Sequence, residues 1–179
     1  MSHVLSVINH IAYNSLCMPK PVGEWAEDDV LSLPKGENDT FERKGVHLLD
    51  LTLPNTSEGR VLDELAKQLS AFANTGGGQI IYGMTDAGTV ENGGVTRSVK
   101  GHQSTKDWLE DIIPVLTDFE IVGFNVYEIS PKAIGSSLAA DKSLYIVDVP
   151  DSERAPHQSA RDHKYYVRLA ENPVPHLTA

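Results

Sequence analysis

Apolar positions recur at helical spacing in some stretches and alternate, or run together, in others. Val4, Leu5, Ile8, Ile11, Ala12 and Leu16 predict a short amphipathic helix, broken by Met18-Pro19-Lys20-Pro21 and Gly23. A second short helix is expected over residues 24–33, acidic at its start (Glu24, Glu27, Asp28, Asp29) and stopped by Pro34. Residues 40–44 read as a strand, and residues 46–53 are Leu-rich and end in a turn at Pro54-Asn55-Thr56-Ser57, where a helix cap is available. The longest amphipathic pattern follows: Val61, Leu65, Leu69 and Phe72 on one face, with Leu62, Ala66 and Ala73 beside them, stopped at Asn74-Thr75-Gly76-Gly77-Gly78. Strands are expected over residues 79–84, 121–129, 143–149 and 164–169, and a helix over 104–116 that is interrupted near Pro114. Residues 150–163 form a long polar loop, a kind of segment that often carries function.

Strands and helices mix without a strict βαβ rhythm. The expected class is α+β (α/β-like), a single mixed β-sheet with helices packed on it. The expected division is an N-terminal helical appendage over residues 1–35 and one domain over 36–179. No apolar run reaches the ~18 residues a membrane helix requires, so no membrane partner is expected. The first residues lack the basic flank of a signal peptide, and Cys17 is the only cysteine, which excludes an internal disulfide and a multi-cysteine zinc site. A reducing cytoplasm is the expected compartment.

Charge narrows the partners. The 179 residues carry 15 Lys and Arg against 25 Asp and Glu, a formal net charge of −10. Such a molecule repels polyanions on average, so any nucleic acid must use a local basic patch. The deficit is uneven: residues 36–95 hold four basic and nine acidic side chains, whereas residues 151–179 hold four of each. The late cluster of Arg154, Arg161, Lys164 and Arg168 is interleaved with Tyr165 and Tyr166, a pairing suited to phosphate contact and base stacking. Strand alternation sends the two tyrosines to opposite faces, so at most one can stack on a ligand. With Arg43 and Lys44 on the first strand, the candidate nucleic-acid contacts are Arg43, Lys44, Arg161, Lys164 and Arg168. These cations are expected to gather on one side, next to the turn that ends the long helix.

Other chemistry is thinner. Gly76-Gly77-Gly78 follows a helix and precedes a strand, the reverse of a phosphate cradle, and no Gly-Lys-Ser/Thr follows it. A tight helix stop that re-enters the sheet is the expected role, with Asn74 and the glycines shaping the turn that presents Asp86. His47, His102, His157 and His163 lack metal-ligand spacing, and no Gly-x-Ser-x-Gly elbow is present. Glu37, Glu42 and Asp86 could hold Mg²⁺ or Mn²⁺ if the fold brought them together, but among 25 acidic residues such a trio is also easily picked by chance.

Several blocks occur in a recognisable order: Glu37-Asn38-Asp39-Thr40-Phe41-Glu42-Arg43-Lys44, Leu69-Ser70-Ala71-Phe72-Ala73-Asn74-Thr75-Gly76-Gly77-Gly78-Gln79-Ile80-Ile81-Tyr82-Gly83-Met84-Thr85-Asp86, Val149-Pro150-Asp151-Ser152 with Pro156-His157, and Tyr165-Tyr166-Val167-Arg168. From about Glu37 to Arg168 the chain resembles the Schlafen-type DNA-binding domain, also called the divergent Alba-type domain. The resemblance implies a mixed-sheet α/β-type domain that binds nucleic acid, often attached to transcriptional regulators or to proteins labelled ATP-binding. It also implies that Glu37, Glu42 and Asp86 match an acidic trio that supports endoribonuclease cleavage in vertebrate relatives. Two departures stand out. Arg43 replaces an expected apolar side chain, which predicts a more exposed strand, and Thr85-Asp86 supplies one acid where the family often has two. The leading expectation is a regulatory DNA- or RNA-binding module, with a symmetric homodimer considered alongside it. A metal-dependent endoribonuclease is the alternative, and an ATP-binding regulator the third reading.

Overall fold

A computed structural model describes residues 20–36, 39–99, 103–169 and 172–176. Glu37 and the helix expected over residues 4–16 lie outside the described residues. The strands are β1 (Phe41–Lys44), β2 (Gly78–Tyr82), β3 (Val95–Thr96), β4 (Ser98–Val99), β5 (Gln103–Ser104), β6 (Asn125–Ile129), β7 (Lys142–Val149), β8 (Tyr165–Leu169) and β9 (Asn172–His176). The helices are α1 (Glu27–Leu31), α2 (Glu58–Ala73) and α3 (Thr105–Ile112).

The main sheet is mixed, as an α+β class requires. β1 runs parallel to β2, and β2, β3 and β6 run antiparallel to the long β7. Alternation along the strands feeds two apolar layers. Ile80, Tyr82, Tyr145, Val147 and Val149 face α2 and α3 and bury Leu65, Leu69, Phe72, Trp108 and Leu109. Ile81, Leu144 and Ile146 face the opposite way, onto Val30, Phe41, Met84 and Leu138. Val22, Trp25, Leu31 and Leu33 pack against this second layer, so residues 22–33 form part of the sheet's cover.

Local chemistry explains the helix ends. Ser57 caps α2 by accepting the Arg60 N–H, and Ser104 caps α3 by accepting the Asp107 N–H. Pro114 lies in a 3-10 turn (Ile113–Val115) that ends α3, near the interruption expected there. At the end of α2 the Gly77 N–H bonds the Phe72 carbonyl at 2.9 Å. Gly77 (φ +75°) and Gly78 (φ +146°) then bring the chain against its neighbours: a Cβ on Gly77 would lie 2.7 Å from the Val149 carbonyl oxygen, and one on Gly78 2.5 Å from that of Thr40. The glycines serve close backbone approach, as expected. They sit at the start of β2, however, and Asp86 lies beyond its far end, so this turn does not present Asp86.

The last strand does not join the main sheet. β8 pairs with β9 in a separate two-stranded hairpin packed on α2. β9 was not foreseen because Pro173 and Pro175 fall inside it, and proline marks a run as an edge strand at most.

Candidate nucleic-acid surface and its ion-pair network

The block Ser70–Thr75 holds β8 and the polar loop to the end of α2 through side chains. The buried Ser70 hydroxyl donates to the His157 carbonyl (2.8 Å) and accepts the Tyr166 N–H (3.0 Å). One turn on, the Asn74 amide donates to the His157 and Tyr166 carbonyls (both 2.9 Å) and accepts the His157 N–H (2.7 Å). Thr75 accepts the Arg168 N–H at 3.1 Å. Buried Ala71 and Ala73 keep this end of the helix slim. The His157 ring, fully buried, bridges Ser152 Oγ (2.7 Å) and the Phe119 carbonyl (3.0 Å), tying two loops together.

That docking sets the fate of the predicted cations. Arg168 is 5% exposed, stands 4.3 Å over the Phe72 ring and pairs with Glu42 at 3.2 Å. Lys44 is ringed by carboxylates, with Glu64 at 2.9 Å and Glu42 at 3.0 Å. Burial alone would lower the Lys44 pKa, but the Glu64 hydrogen bond and both charges outweigh it and raise it. Burial likewise pushes Glu64 up, and the Lys44 contact more than reverses it, leaving Glu64 below the usual carboxylate range. Arg43 is 7% exposed and donates to the Leu33, Pro34 and Gly36 carbonyls while standing 4.8 Å over the Phe41 ring. The expectation of a more exposed strand at position 43 is therefore corrected: backbone carbonyls accept from both terminal nitrogens of the guanidinium, while its buried Nε has no partner among the described residues, so an arginine is held against the sheet. In this arrangement Arg43, Lys44 and Arg168 are held internally and do not face solvent as free phosphate contacts.

Arg161 and Lys164 are exposed. Arg161 pairs with Asp63 at 2.7 Å and Lys164 with Asp162 at 3.5 Å. Around Arg161 lies a cavity of about 450 Å³ lined also by Arg60 and Lys67 of α2, with Asp63, Glu64, Asp162 and Tyr166. Arg60 and Lys67 were missed, although their spacing on the polar face of α2, opposite Leu65 and Leu69, was readable. Tyr166 is buried and its hydroxyl donates a hydrogen bond to Asp162; burial first, and that bond second, push its pKa up to about 12. Tyr165 is half-buried. The cations do not gather beside the turn after the long helix. Lys20, Arg97, Lys106 and Lys132 lie elsewhere, each against a carboxylate, and the remaining basic group lies along the polar face of α2, at Arg60 and Lys67, and the 159–164 loop.

Of the acidic trio, Glu42 and Asp86 line one cavity of about 380 Å³ with Arg43, Lys44 and His47. Both Glu42 oxygens already face cations, and no cluster of three metal-binding side chains occurs among the described residues. The described residues therefore do not supply a ready Mg²⁺ or Mn²⁺ site. No helix among them is long and apolar enough to cross a membrane.

Comparison with known proteins agrees with this architecture. No curated protein sequence matches the chain. The crystal structure of the DIP2311 protein from Corynebacterium diphtheriae is similar, with a TM-score of 0.55 and 17% identity over 83% of this chain. The chain spans only 28% of that protein, so the likeness concerns the fold. The Schlafen, AlbA_2 family matches residues 37–175, which include every block singled out in the sequence, and the chain belongs to that family.

Proposed function

We propose that this is a regulatory nucleic-acid-binding domain that holds a single-stranded polynucleotide across α2 and the 159–164 loop. Membership of the Schlafen AlbA_2 family supports nucleic acid as the ligand class. The observation that carries the placement is the basic group formed by exposed Arg60, Arg161 and Lys164 with half-buried Lys67. Among the described residues Arg60 has no ion-pair partner, Lys67 only a distant one (Glu64, 3.9 Å), and Arg161 and Lys164 have solvent-accessible ones. Such pairs are weak, and a phosphate can displace them. The remaining carboxylates, Asp63 and Asp162, repel the backbone and limit affinity, and the cation–phosphate contacts make binding salt-dependent. Titrating labelled single-stranded RNA and DNA against the protein at several salt concentrations tests this. Affinity unchanged in an Arg60→Ala/Arg161→Ala double variant removes the placement.

The endoribonuclease reading is favoured by one observation, that Glu42 and Asp86 line the same cavity. An Mg²⁺ or Mn²⁺ ion there would have to displace Lys44 and Arg168 from Glu42, and Glu37 would have to complete the set. Structured RNA incubated with Mn²⁺ and either the protein or Glu42→Ala separates the readings. Cleavage lost in the variant assigns the acid a catalytic role, and cleavage surviving it excludes this trio.

A further inference from the structure

The 150–163 loop holds a hydroxyl and an imidazole in direct contact, and neither has a part in nucleic-acid binding. Ser152 Oγ lies 2.7 Å from His157 Nε2, and His157 Nδ1 lies 3.0 Å from the Phe119 carbonyl oxygen. A carbonyl can only accept, so Nδ1 carries the proton that joins them. In the neutral ring Nε2 is then the basic nitrogen, and Ser152 donates its hydroxyl proton to it. The ring cannot turn away. It is fully buried, and Asn74 grips the His157 backbone on both sides, its Oδ1 accepting the N–H at 2.7 Å and its amide donating to the carbonyl at 2.9 Å. A hydroxyl within reach of a base whose other nitrogen is fixed by a third group is the arrangement that activates a serine.

The serine is equally fixed, and it is reachable. Its N–H bonds the Ala73 carbonyl at 3.3 Å and its carbonyl accepts the Ala155 N–H at 3.1 Å. Its Oγ also accepts the Arg154 N–H at 3.2 Å, which favours negative charge building on the oxygen as the proton leaves. Gly77 permits this seat, since a Cβ there would lie 2.6 Å from the Asp151 nitrogen. Ser152 is half-buried, and Asp151 and residues 153–156 around it are exposed. The N–H groups of Asp151 and Glu153, on either side of the serine, have no acceptor among the described residues. They remain free to donate to an oxyanion, a task that the N–H next to a nucleophile commonly performs.

We propose that Ser152 and His157 form an acyl-transfer dyad, nucleophile and general base, that acts on small uncharged carboxylic esters. Asp151 and Glu153 flank the serine and repel anionic esters. Ser152 Oγ bonds the carbonyl carbon while its proton passes to His157 Nε2. The ester C–O bond then breaks, and that proton departs with the alcohol. Water attacks the acyl-Ser152 next and gives a proton to Nε2. The bond to Oγ breaks, Oγ recovers the proton, and the carboxylic acid leaves. The cations proposed to hold a polynucleotide take no part, so either proposal can fail alone.

The test treats the full chain with a dialkyl fluorophosphate, which forms an Oγ–P bond, loses fluoride and leaves the serine proton with the base. Intact mass and peptide mapping give the labelled residue and the rate. A single label is expected, on Ser152, forming about 100-fold faster in the folded chain than in urea, the low end of what a general base supplies. With p-nitrophenyl acetate, a burst of about one equivalent of nitrophenolate followed by slower turnover is expected. Ser152→Ala should take no label and give no burst. His157→Gln keeps a polar side chain without a base and should slow labelling about 100-fold while circular dichroism shows the fold retained. Where His157→Gln unfolds, Ser152→Cys decides. With the unsubstituted chain as the blank for Cys17, iodoacetamide at about pH 6 should alkylate the new thiol about tenfold or more faster than a free thiol, which is nearly all protonated there. No label, labels spread over other serines, equal rates in urea, or no burst overturns the proposal. So does a folded His157→Gln that labels at the original rate, or a Ser152→Cys thiol no faster than a free one.

Discussion

At the residue scale, burial decides which charged side chains hold the structure and which remain available to a ligand. Arg168 pairs with Glu42 beneath the surface, so Arg168→Ala leaves a half-buried carboxylate short of one cation. Allowing for the remaining Lys44 contact, it is expected to destabilise the fold by about 3 kcal/mol, measured by urea denaturation. Arg161→Ala removes only an exposed pair and should change stability by less than about 1 kcal/mol while weakening polynucleotide binding. Acid sensitivity follows from the two depressed carboxylates. Glu64 is lowered chiefly by Lys44, and Asp50 by its bonds from Thr52 and Thr96, each against the upward push of burial. A carboxylate whose folded pKa lies below its unfolded one stabilises the protein above the unfolded value and stops doing so as pH falls through the folded one. Stability should therefore fall as pH drops below the ordinary values of 4.5 for Glu64 and 3.8 for Asp50. Denaturation midpoints across that range should lose part of this dependence in Glu64→Gln.

At the element scale, α2 determines most of what the surface presents. Its apolar face fills the core, its C-terminal turn anchors β8 and the 152–157 loop, and its polar face carries Arg60 and Lys67. The anchoring depends on side chains that fit at one spacing, Ser70 and Asn74 one turn apart. His157 joins the same knot from the loop side and is fully buried with both ring nitrogens bonded. Replacing it by phenylalanine removes both ring bonds, while Thr117 still donates to the Phe119 carbonyl and the Arg154 N–H to Ser152, with an expected cost of about 1–2 kcal/mol in thermal or chemical unfolding. At the glycine stop, Gly77→Val forces a β-branched residue into a positive φ against Val149 and Asp151. It should destabilise the protein by about 3 kcal/mol or more.

At the scale of the whole molecule, the acidic surface and the small basic group act in opposition, and salt exposes the balance. With three or four phosphates engaged by Arg60, Lys67, Arg161 and Lys164, log affinity for a single strand should fall against log salt with a slope of about −2 to −3. A slope near zero contradicts phosphate contact, and a much steeper one implies a larger surface than these four residues form. The sequence alone determined the framework. The periodicity of Val61, Leu65, Leu69 and Phe72 specified α2, the glycines marked where the chain turns back, and the ordered blocks from Glu37 to Arg168 identified the family, because these features are local and written in residue type and spacing. Only the tertiary structure decided the roles of the charges. Lys44 and Arg168 are cationic in any reading, but whether a cation meets a phosphate or a glutamate depends on which residues lie across space from it. Glu42 and Arg168 are 126 residues apart along the chain and meet only because β8 leaves the sheet and docks on α2.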